Sequence, residues 1–302
     1  MLQAETADIV SRSADLVAEH YLFADVGETV AGLLRTNLIN GGYGSAGSAE
    51  ELGALVTADL QSANDDGHLR LKFHAEPIPD MSNDEDLYAS YLAQSHAAMH
   101  GVAKIERLKG NIGHLVIEPV LFPAAIAGDA LSAALRLIAD TEAIILDLRG
   151  LRGGDPGTVA LICSYFVDEP THINTMHDRG NATAAQSWTL PYVPGPRFGA
   201  TKPIWVLTSK ATFSGGEELS YDLQQMGRAA VVGETTGGGA HARIGFTVHP
   251  HLELTVPVVR AENPNSKANW EGTGVLPDVP VPAEDAFATA LRLARDHLHQ
   301  PA

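Results

Sequence analysis

The sequence PIWVLTSKATFSGGEE, residues 203–218, decides the fold class. Its first five residues form an apolar run that is typical of a strand buried on both faces. Residues 215–226 then follow helical spacing, and residues 229–232 form a further short apolar run. This order of strand, helix and strand predicts an α/β domain.

The alternation of strands and helices extends in both directions from this unit. A continuous apolar run at residues 143–148 predicts another buried strand, followed by a glycine-rich loop and an apolar helix. The other predicted elements are strands at 69–73 and 112–117, helices at 83–99 and 129–138, a hairpin at 243–259 and a final helix at 283–297. Most of the chain after residue 67 therefore follows the α/β pattern.

The first part of the chain is predicted to be helical. Apolar residues recur at helical spacing over residues 8–21 and 26–38. Ser48 followed by Glu51 is a capping-box pattern, which predicts the start of a third helix. We therefore predict an N-terminal helical bundle at residues 1–66 and a second domain at residues 67–302.

Composition excludes several functional classes. The chain has 302 residues, 45% of them apolar, which is enough for a sizeable core. A net charge of −17 is unsuited to binding nucleic acid or anionic membranes, which both require clusters of Lys and Arg. The one cysteine, Cys163, lies in an apolar run and is predicted to be a buried structural thiol. With neither a signal-peptide pattern nor a bilayer-length apolar run, we expect a cytoplasmic protein.

Ser214 is the first candidate for chemistry, because it follows a buried strand and opens a helix. The unpaired amides and the positive dipole at a helix N-terminus can stabilise an oxyanion, and Gly215 and Gly216 allow a substrate to approach closely. The alternative is an ordinary helix cap in which Glu217 completes a capping box. The local sequence by itself favours the cap.

A second glycine loop, LRGGDPG at residues 151–157, also joins a buried strand to a helix. Ligands of open α/β sheets collect at the carboxyl ends of strands, where both loops should lie. An amide of Gly153 or Gly154 could therefore supply a second oxyanion donor. The loop lacks the pattern of a P-loop or of a dinucleotide-binding site, and the histidines lack metal-ligand spacing, so we predict no cofactor and no metal.

Several segments together resemble a known family. They are ILDLR at 145–149 with Gly153 and Gly154, Ser214 with GETTGGG at 233–239, CSYF at 163–166, WTLP at 188–191 and GVLPD at 274–278. These segments resemble the C-terminal processing (tail-specific) serine peptidases. The resemblance is greatest to the branch with the tricorn protease core and the modules of interphotoreceptor retinoid-binding protein. It extends over nearly the whole chain.

The resemblance implies a fold and a nucleophile. The expected fold is a helical N-terminal bundle on a ClpP/crotonase-like ββα spiral domain, with no room for a PDZ insertion between them. Ser214 is then the expected nucleophile, and Gly215, Gly153 and Gly154 supply the oxyanion hole.

The resemblance also assigns the partners of the serine. Bacterial tail-specific enzymes use a serine–lysine dyad, but Gly239 occupies the lysine position here. The tricorn branch uses histidine and glutamate instead, and the matching positions hold His68 as the base and Glu271 as its orienting carboxylate. His241 is the alternative base, since it follows closely after Gly239.

The predicted function is hydrolysis of a peptide or protein substrate through an acyl-enzyme. Two alternatives stay open on the same fold. One is a non-catalytic module that binds retinoid or another apolar ligand, and the other is an esterase. The sequence leaves oligomer formation open.

Overall fold

The computed structural model describes residues 3–78, 84–180 and 185–299. The helices in these residues are α1 (Gln3–His20), α2 (Ala24–Ile39), α3 (Ala49–Ser62), α4 (Asp84–Ala97), α5 (Ala124–Ile138), α6 (Pro156–Ser164), α7 (Gly215–Gln225) and α8 (Ala283–His299). The strands are β1 (Arg70–Phe73), β2 (Val102–Leu108), β3 (Ile112–Ile117), β4 (Ala143–Asp147), β5 (His172–Asp178), β6 (Ala185–Trp188), β7 (Ile204–Thr208), β8 (Ala230–Gly233), β9 (His241–His249), β10 (Leu252–Glu262) and β11 (Val279–Pro280).

The chain forms two compact units, each built from separate segments. Unit 1 contains Met1–Met81, Met176–Ala185 and His241–Ala261, and unit 2 contains the rest. Unit 1 therefore adds two later segments to the N-terminal helices. The sequence-based division after residue 66 stays a prediction about domains.

Unit 1 buries one face of each N-terminal helix. Apolar side chains of α1, α2 and α3 share a core with apolar residues of β1, β9 and β10. This core contains, among others, Val10, Val17, Val30, Leu34, Leu52, Val56, Leu71, Val248, Leu252 and Leu254. The helical spacing seen in the sequence is thus the spacing of the buried face.

The sheet of unit 1 has β10 at its centre. Strand β1 runs antiparallel to β10, with Phe73 opposite Leu252. Strand β9 is also antiparallel to β10, and the pair forms the predicted hairpin, with His241 opposite Arg260. This arrangement places residues 66–70 and the start of β9 within the same unit.

Unit 2 contains a six-stranded sheet in the order β11-β8-β7-β4-β3-β2. All neighbouring strands are parallel except β2, which is antiparallel to β3. Every residue of β4 and β7 is buried, as their continuous apolar runs predict. Because Asp147 pairs with Leu207, the loops that follow β4 and β7 leave the sheet at the same end.

Helix α8 covers one face of this sheet. Its buried alanines, Ala286, Ala290 and Ala294, share a core with apolar residues of β4, β7 and β8. Small side chains let the helix approach the strands closely. The α/β prediction with a helical N-terminal region is confirmed.

None of the helices in residues 3–78, 84–180 and 185–299 combines the length and the apolar character that crossing a bilayer requires.

Candidate active site

Ser214 lies in a strained turn between β7 and α7. Its backbone angles are φ 51° and ψ −121°, in a region that favours glycine. A non-glycine residue in such a conformation costs about 1–3 kcal/mol and persists only when its surroundings fix it. The N–H groups of Phe213 and Gly216 fix this turn by donating to Leu151 and Phe213 carbonyls at 3.0 and 2.9 Å.

The predicted glycine loop lies directly against this serine. A Cβ placed on Gly153 would be 3.0 Å from the Ser214 Cβ and 3.5 Å from its Oγ. A Cβ placed on Gly215 would lie 2.9 Å from the carbonyl oxygen of Gly154. Neither position has room for a side chain, so glycine is required where the two loops meet.

The amides around Ser214 are available to a ligand. Within the part of the chain that the structure describes, the N–H groups of Gly153, Gly154 and Gly215 donate no backbone or side-chain hydrogen bond. Gly215 is also the first residue of α7, where intrahelical acceptors are lacking. Unit 2 therefore brings the serine, the glycine loop and these amide donors together.

The segment at residues 119–121 holds the glycine loop in place. The Leu121 N–H donates to the Gly153 carbonyl at 2.8 Å, and the Asp155 N–H donates to the Leu121 carbonyl at 2.8 Å. Asp155 also caps α6, where its Oδ2 accepts the N–H of Thr158 at 2.7 Å. The loop is thus anchored before any ligand binds.

An ion pair supports the start of the same loop. Arg149 donates from Nε and Nη2 to the two carboxylate oxygens of Asp147, at 2.9 and 2.6 Å. Burial opposes ionisation of Asp147, but the adjacent His114 and Arg149 outweigh it and lower the pKa to about 2. His114 is itself buried, 3.0 Å from Glu106, and supports the sheet as a core residue.

Glu217 is buried at the start of α7 and accepts four hydrogen bonds. Its Oε2 accepts the N–H groups of Ser214 and Gly239, each at 2.8 Å. Its Oε1 accepts the Thr236 hydroxyl at 2.5 Å and the Gly238 N–H at 2.6 Å. Burial raises the pKa of this carboxyl, and the four donors oppose that rise. From the sequence we expect only a capping-box contact here.

Glu271 lies against the loop that contains two of these donors. Its Oε2 accepts the Ala240 N–H at 2.5 Å. The preceding Trp270 donates from its indole nitrogen to the Gly239 carbonyl at 2.9 Å, and Gly272 donates to Gly238 at 2.9 Å. Glu271, the predicted orienting carboxylate, is thus part of unit 2. It contacts the end of the loop that Glu217 binds.

Helix α7 also buries an acidic pair, Glu218 and Asp222, which lie about one turn apart. The amide nitrogen of Asn174 donates to Glu218 at 3.3 Å and to both oxygens of Asp222 at 3.0 and 3.1 Å. Burial raises the pKa of Glu218 to about 7, and burial together with repulsion from Glu218 also raises the pKa of Asp222. Burial likewise raises the pKa of Cys163, which is the inert thiol that the sequence predicts.

The two candidate bases belong to unit 1 and share one carboxylate. Asp66 accepts the backbone N–H of His68 on Oδ1 at 3.0 Å, and its Oδ2 lies 2.8 Å from Nδ1 of His241. The Tyr21 hydroxyl also donates to Oδ2 at 3.0 Å. Sequence reasoning missed this role of Asp66, because its pairing with His241 spans 175 positions.

The electrostatics of these groups differ. Burial lowers the pKa of His68 to about 4, Asp66 partly opposes it, and Arg70 and Arg243 lower it further. Burial would raise the pKa of Asp66, but its bonds to His241, His68 and Tyr21 outweigh this and lower it. His241 therefore has an ionised carboxylate beside it, the arrangement that orients the histidine of a catalytic triad.

Two segments of the chain match known protein families. Residues 111–281 match the model of peptidase family S41. The chain belongs to peptidase family S41. Residues 1–106 match the N-terminal domain of this family in eukaryotic interphotoreceptor retinoid-binding protein. The resemblance to tail-specific peptidases is therefore confirmed.

One curated relative within this family is the carboxyl-terminal-processing protease of Picosynechococcus sp. (strain ATCC 27264 / PCC 7002 / PR-6). It is 29% identical over 140 residues, which is 46% of this chain and 32% of the relative. The chain thus spans about a third of the length of this relative.

Solved structures share the S41 fold over the full chain. A candidate peptidase of Parabacteroides merdae has a TM-score of 0.65 at 18% identity, covering 100% of this chain and 98% of that protein. Tricorn protease has a TM-score of 0.60 at 14% identity, covering 99% of this chain and 37% of that protein. At such identities the likeness establishes the fold alone.

Proposed function

We propose that this S41 chain is a serine-type peptidase with Ser214 as its nucleophile. The observation that carries the proposal is the strained turn at Ser214, set against unoccupied amide donors of a glycine loop. Strain at a single polar residue is typical of a nucleophile and is unnecessary for a helix cap. The substrate class is a peptide or protein, as for the processing protease that resembles the chain.

The proposed reaction is acyl transfer to water. Ser214 Oγ attacks the scissile carbonyl, and the oxyanion accepts hydrogen bonds from the Gly215 amide and from an amide of Gly153 or Gly154. The base takes the Oγ proton during this attack and passes it to the leaving amine as the C–N bond breaks, which leaves an acyl-enzyme. Water then attacks the ester and releases the second product, restoring the serine hydroxyl.

For the proton transfers we propose His68 as the base and Glu271 as the carboxylate that orients it. His241 is the alternative base, and its contact with Asp66 supports it. A pKa of about 4 for His68 keeps the ring neutral near pH 7, as a base must be, but makes it a weak proton acceptor. Activity in the cytoplasm also stays a proposal.

A fluorophosphonate probe tests both the function and the base. We expect the probe to modify Ser214, as located by mass spectrometry, and Ser214→Ala to abolish the modification. His68→Ala should lose most of the reactivity, while labelling that survives this change and disappears in His241→Ala reassigns the base. If the folded wild type is unreactive and binds retinoid or fatty acid tightly, the chain is a binding module instead.

A further inference from the structure

Glu217 joins two loops that are distant in sequence. One donor to its carboxylate is the N–H of Ser214, three residues earlier, and the other three come from Thr236, Gly238 and Gly239. A capping-box glutamate needs only the first of these contacts. The other three have no role in starting a helix.

The four donors favour an ionised carboxylate. Three of them are backbone N–H groups, which can donate but cannot accept, and each oxygen of Glu217 receives at least one of them. Glu217 is fully buried, so its charge is stabilised by these bonds rather than by water. An uncharged side chain of the same shape would leave one amide donor facing another donor.

The far end of this network holds the proposed orienting residue. The Gly239 carbonyl accepts the indole N–H of Trp270, and the next amide, that of Ala240, donates to Glu271. A continuous series of hydrogen bonds therefore runs from the strained backbone of Ser214, through Glu217, to the loop that binds Glu271. Each member belongs to unit 2.

We propose that Glu217 is a positioning residue, whose ionised carboxylate fixes the nucleophile turn to the 238–240 loop and so sets the placement of Ser214 and Glu271 together. This inference rests on the proposed function, since it assigns Glu217 a task in that reaction. Glu217 does not touch the substrate, and it acts by holding Ser214 in a conformation that serine would otherwise leave.

The test compares Glu217→Gln with Glu51→Gln, the matched change in the capping box of α3. We expect Glu217→Gln to slow fluorophosphonate labelling of Ser214 by roughly 10²-fold near neutral pH, the loss that a displacement of about 1 Å produces. Glu51→Gln should leave the rate unchanged. Rates are measured per folded molecule, well below the melting temperature.

A pH series separates positioning from simple stability. Protonated Glu217 resembles glutamine, so the ratio of wild-type to Glu217→Gln rates should fall towards one as pH falls and burial lets the carboxyl protonate. The pH dependence of the base is common to both proteins and cancels in the ratio. A ratio near one at every pH, with only a lower melting temperature, would show that Glu217 is merely a cap and overturn the proposal.

Amide hydrogen exchange provides a measurement that needs neither a variant nor catalysis. After correction for intrinsic rates, protection of residues 212–219 and 236–241 in the wild type should weaken together as pH falls through the pKa of Glu217. If only the first segment responds, or neither does, the link between the loops is refuted. If the wild type is not labelled by the fluorophosphonate but both segments lose protection together, the proposed peptidase function is rejected. The link between the two loops through Glu217 is then retained.

Discussion

Within the described residues, the Ser-x-x-Glu sequences that start at Ser48 and Ser214 each begin a helix, and they form different structures. At α3, Ser48 has extended angles of φ −141° and ψ 166°, and its side chain accepts the N–H of Glu51 at 3.1 Å. Glu51 is exposed, and its carboxylate accepts the nearby N–H of Gly47 at 2.7 Å. At α7, Ser214 is in a glycine-type conformation and Glu217 is buried among donors from a distant loop.

The α7 capping box differs from the α3 box because its glutamate also binds a loop that is distant in sequence. The α3 box satisfies helix amides and nothing else, so its backbone is relaxed. The α7 box retains one capping contact, while its serine is strained and its glutamate binds residues 236–239. A strained serine and a buried, multiply bonded glutamate thus distinguish the turn of the proposed nucleophile from a cap with the same sequence pattern.

The largest expected effect is on the labelling of Ser214. It compares a glycine beside the proposed nucleophile with a glycine that only turns the chain. In Gly154→Ala the new Cβ would lie 2.1 Å from the Leu121 carbonyl oxygen, at φ +131°. The loop must move, and we expect labelling of Ser214 to fall by about 10²–10³-fold, as when an oxyanion donor is lost. Gly41→Ala is the control, because its φ is +76° but no atom lies within 4 Å of the new Cβ.

Labelling in Gly154→Ala at the wild-type rate would remove that loop from the oxyanion hole. Thermal melting of both variants gives the share of the loss that comes from stability.

The second prediction concerns the pH dependence of stability, which depends on the acidic residues that follow each capping serine. Those of α3 are exposed, whereas α7 buries Glu218 and Asp222 with raised pKa values. The folded state therefore holds a proton that the unfolded chain releases. The contribution of this pair to the unfolding free energy should fall as pH rises from about 4.5 to 7, by about 1.4 kcal/mol for each pH unit and proton, whereas the lowered pKa of His68 gives a contribution of the opposite sign below about pH 6.5.

Urea unfolding at a series of pH values measures this slope. Glu218→Gln should flatten it, since the variant has no proton to lose at that position. The contribution of His68 is common to both proteins, so an identical pH slope in the wild type and in Glu218→Gln would contradict a shared buried proton.

The third prediction is that substitution by glycine changes the unfolding free energy in opposite directions at the two serines. Glycine adopts the conformation of Ser214 without strain, so Ser214→Gly should stabilise the protein by about 1 kcal/mol while abolishing labelling. Ser48→Gly should destabilise it by a few tenths of a kcal/mol and leave labelling intact. Equal destabilisation by both changes, in chemical denaturation, would show that Ser214 is an ordinary cap.

The last prediction tests the α3 box alone. Ser48→Ala removes the acceptor for the Glu51 N–H and should cost about 1 kcal/mol of unfolding free energy, with no change in the labelling rate. Denaturant midpoints and probe kinetics on the same preparation measure both. A loss of labelling here would mean that α3 contributes to the site.

Elements with strong periodicity could be predicted from the sequence. Helices α1 to α3 and the buried strands β4 and β7 follow their apolar patterns closely. Strand β5, HINTMHD, was missed because polar residues dominate it, and β2, VAKIERL, because it is an edge strand with charged side chains. Pairing with neighbouring strands, rather than local composition, determines such elements.

The candidate site was predictable in part for a similar reason. Ser214 and the two glycine loops follow buried parallel strands, so the topology brings them to one end of the sheet. Two of the four donors to Glu217 are backbone amides, 21 and 22 positions away, and an amide has no signature in a sequence. The pairing of Asp66 with His241 depends on a hairpin formed much later in the chain.

The segmented construction of unit 1 has a consequence for protein synthesis. Its core needs Val248, Leu252 and Leu254, which are translated long after the helices that they cover. At about 5–20 residues per second, roughly 10–40 s separate the emergence of residue 81 from that of residue 261. Through that interval the nascent helices expose an apolar face on the ribosome, where a chaperone could bind it until the last hairpin arrives.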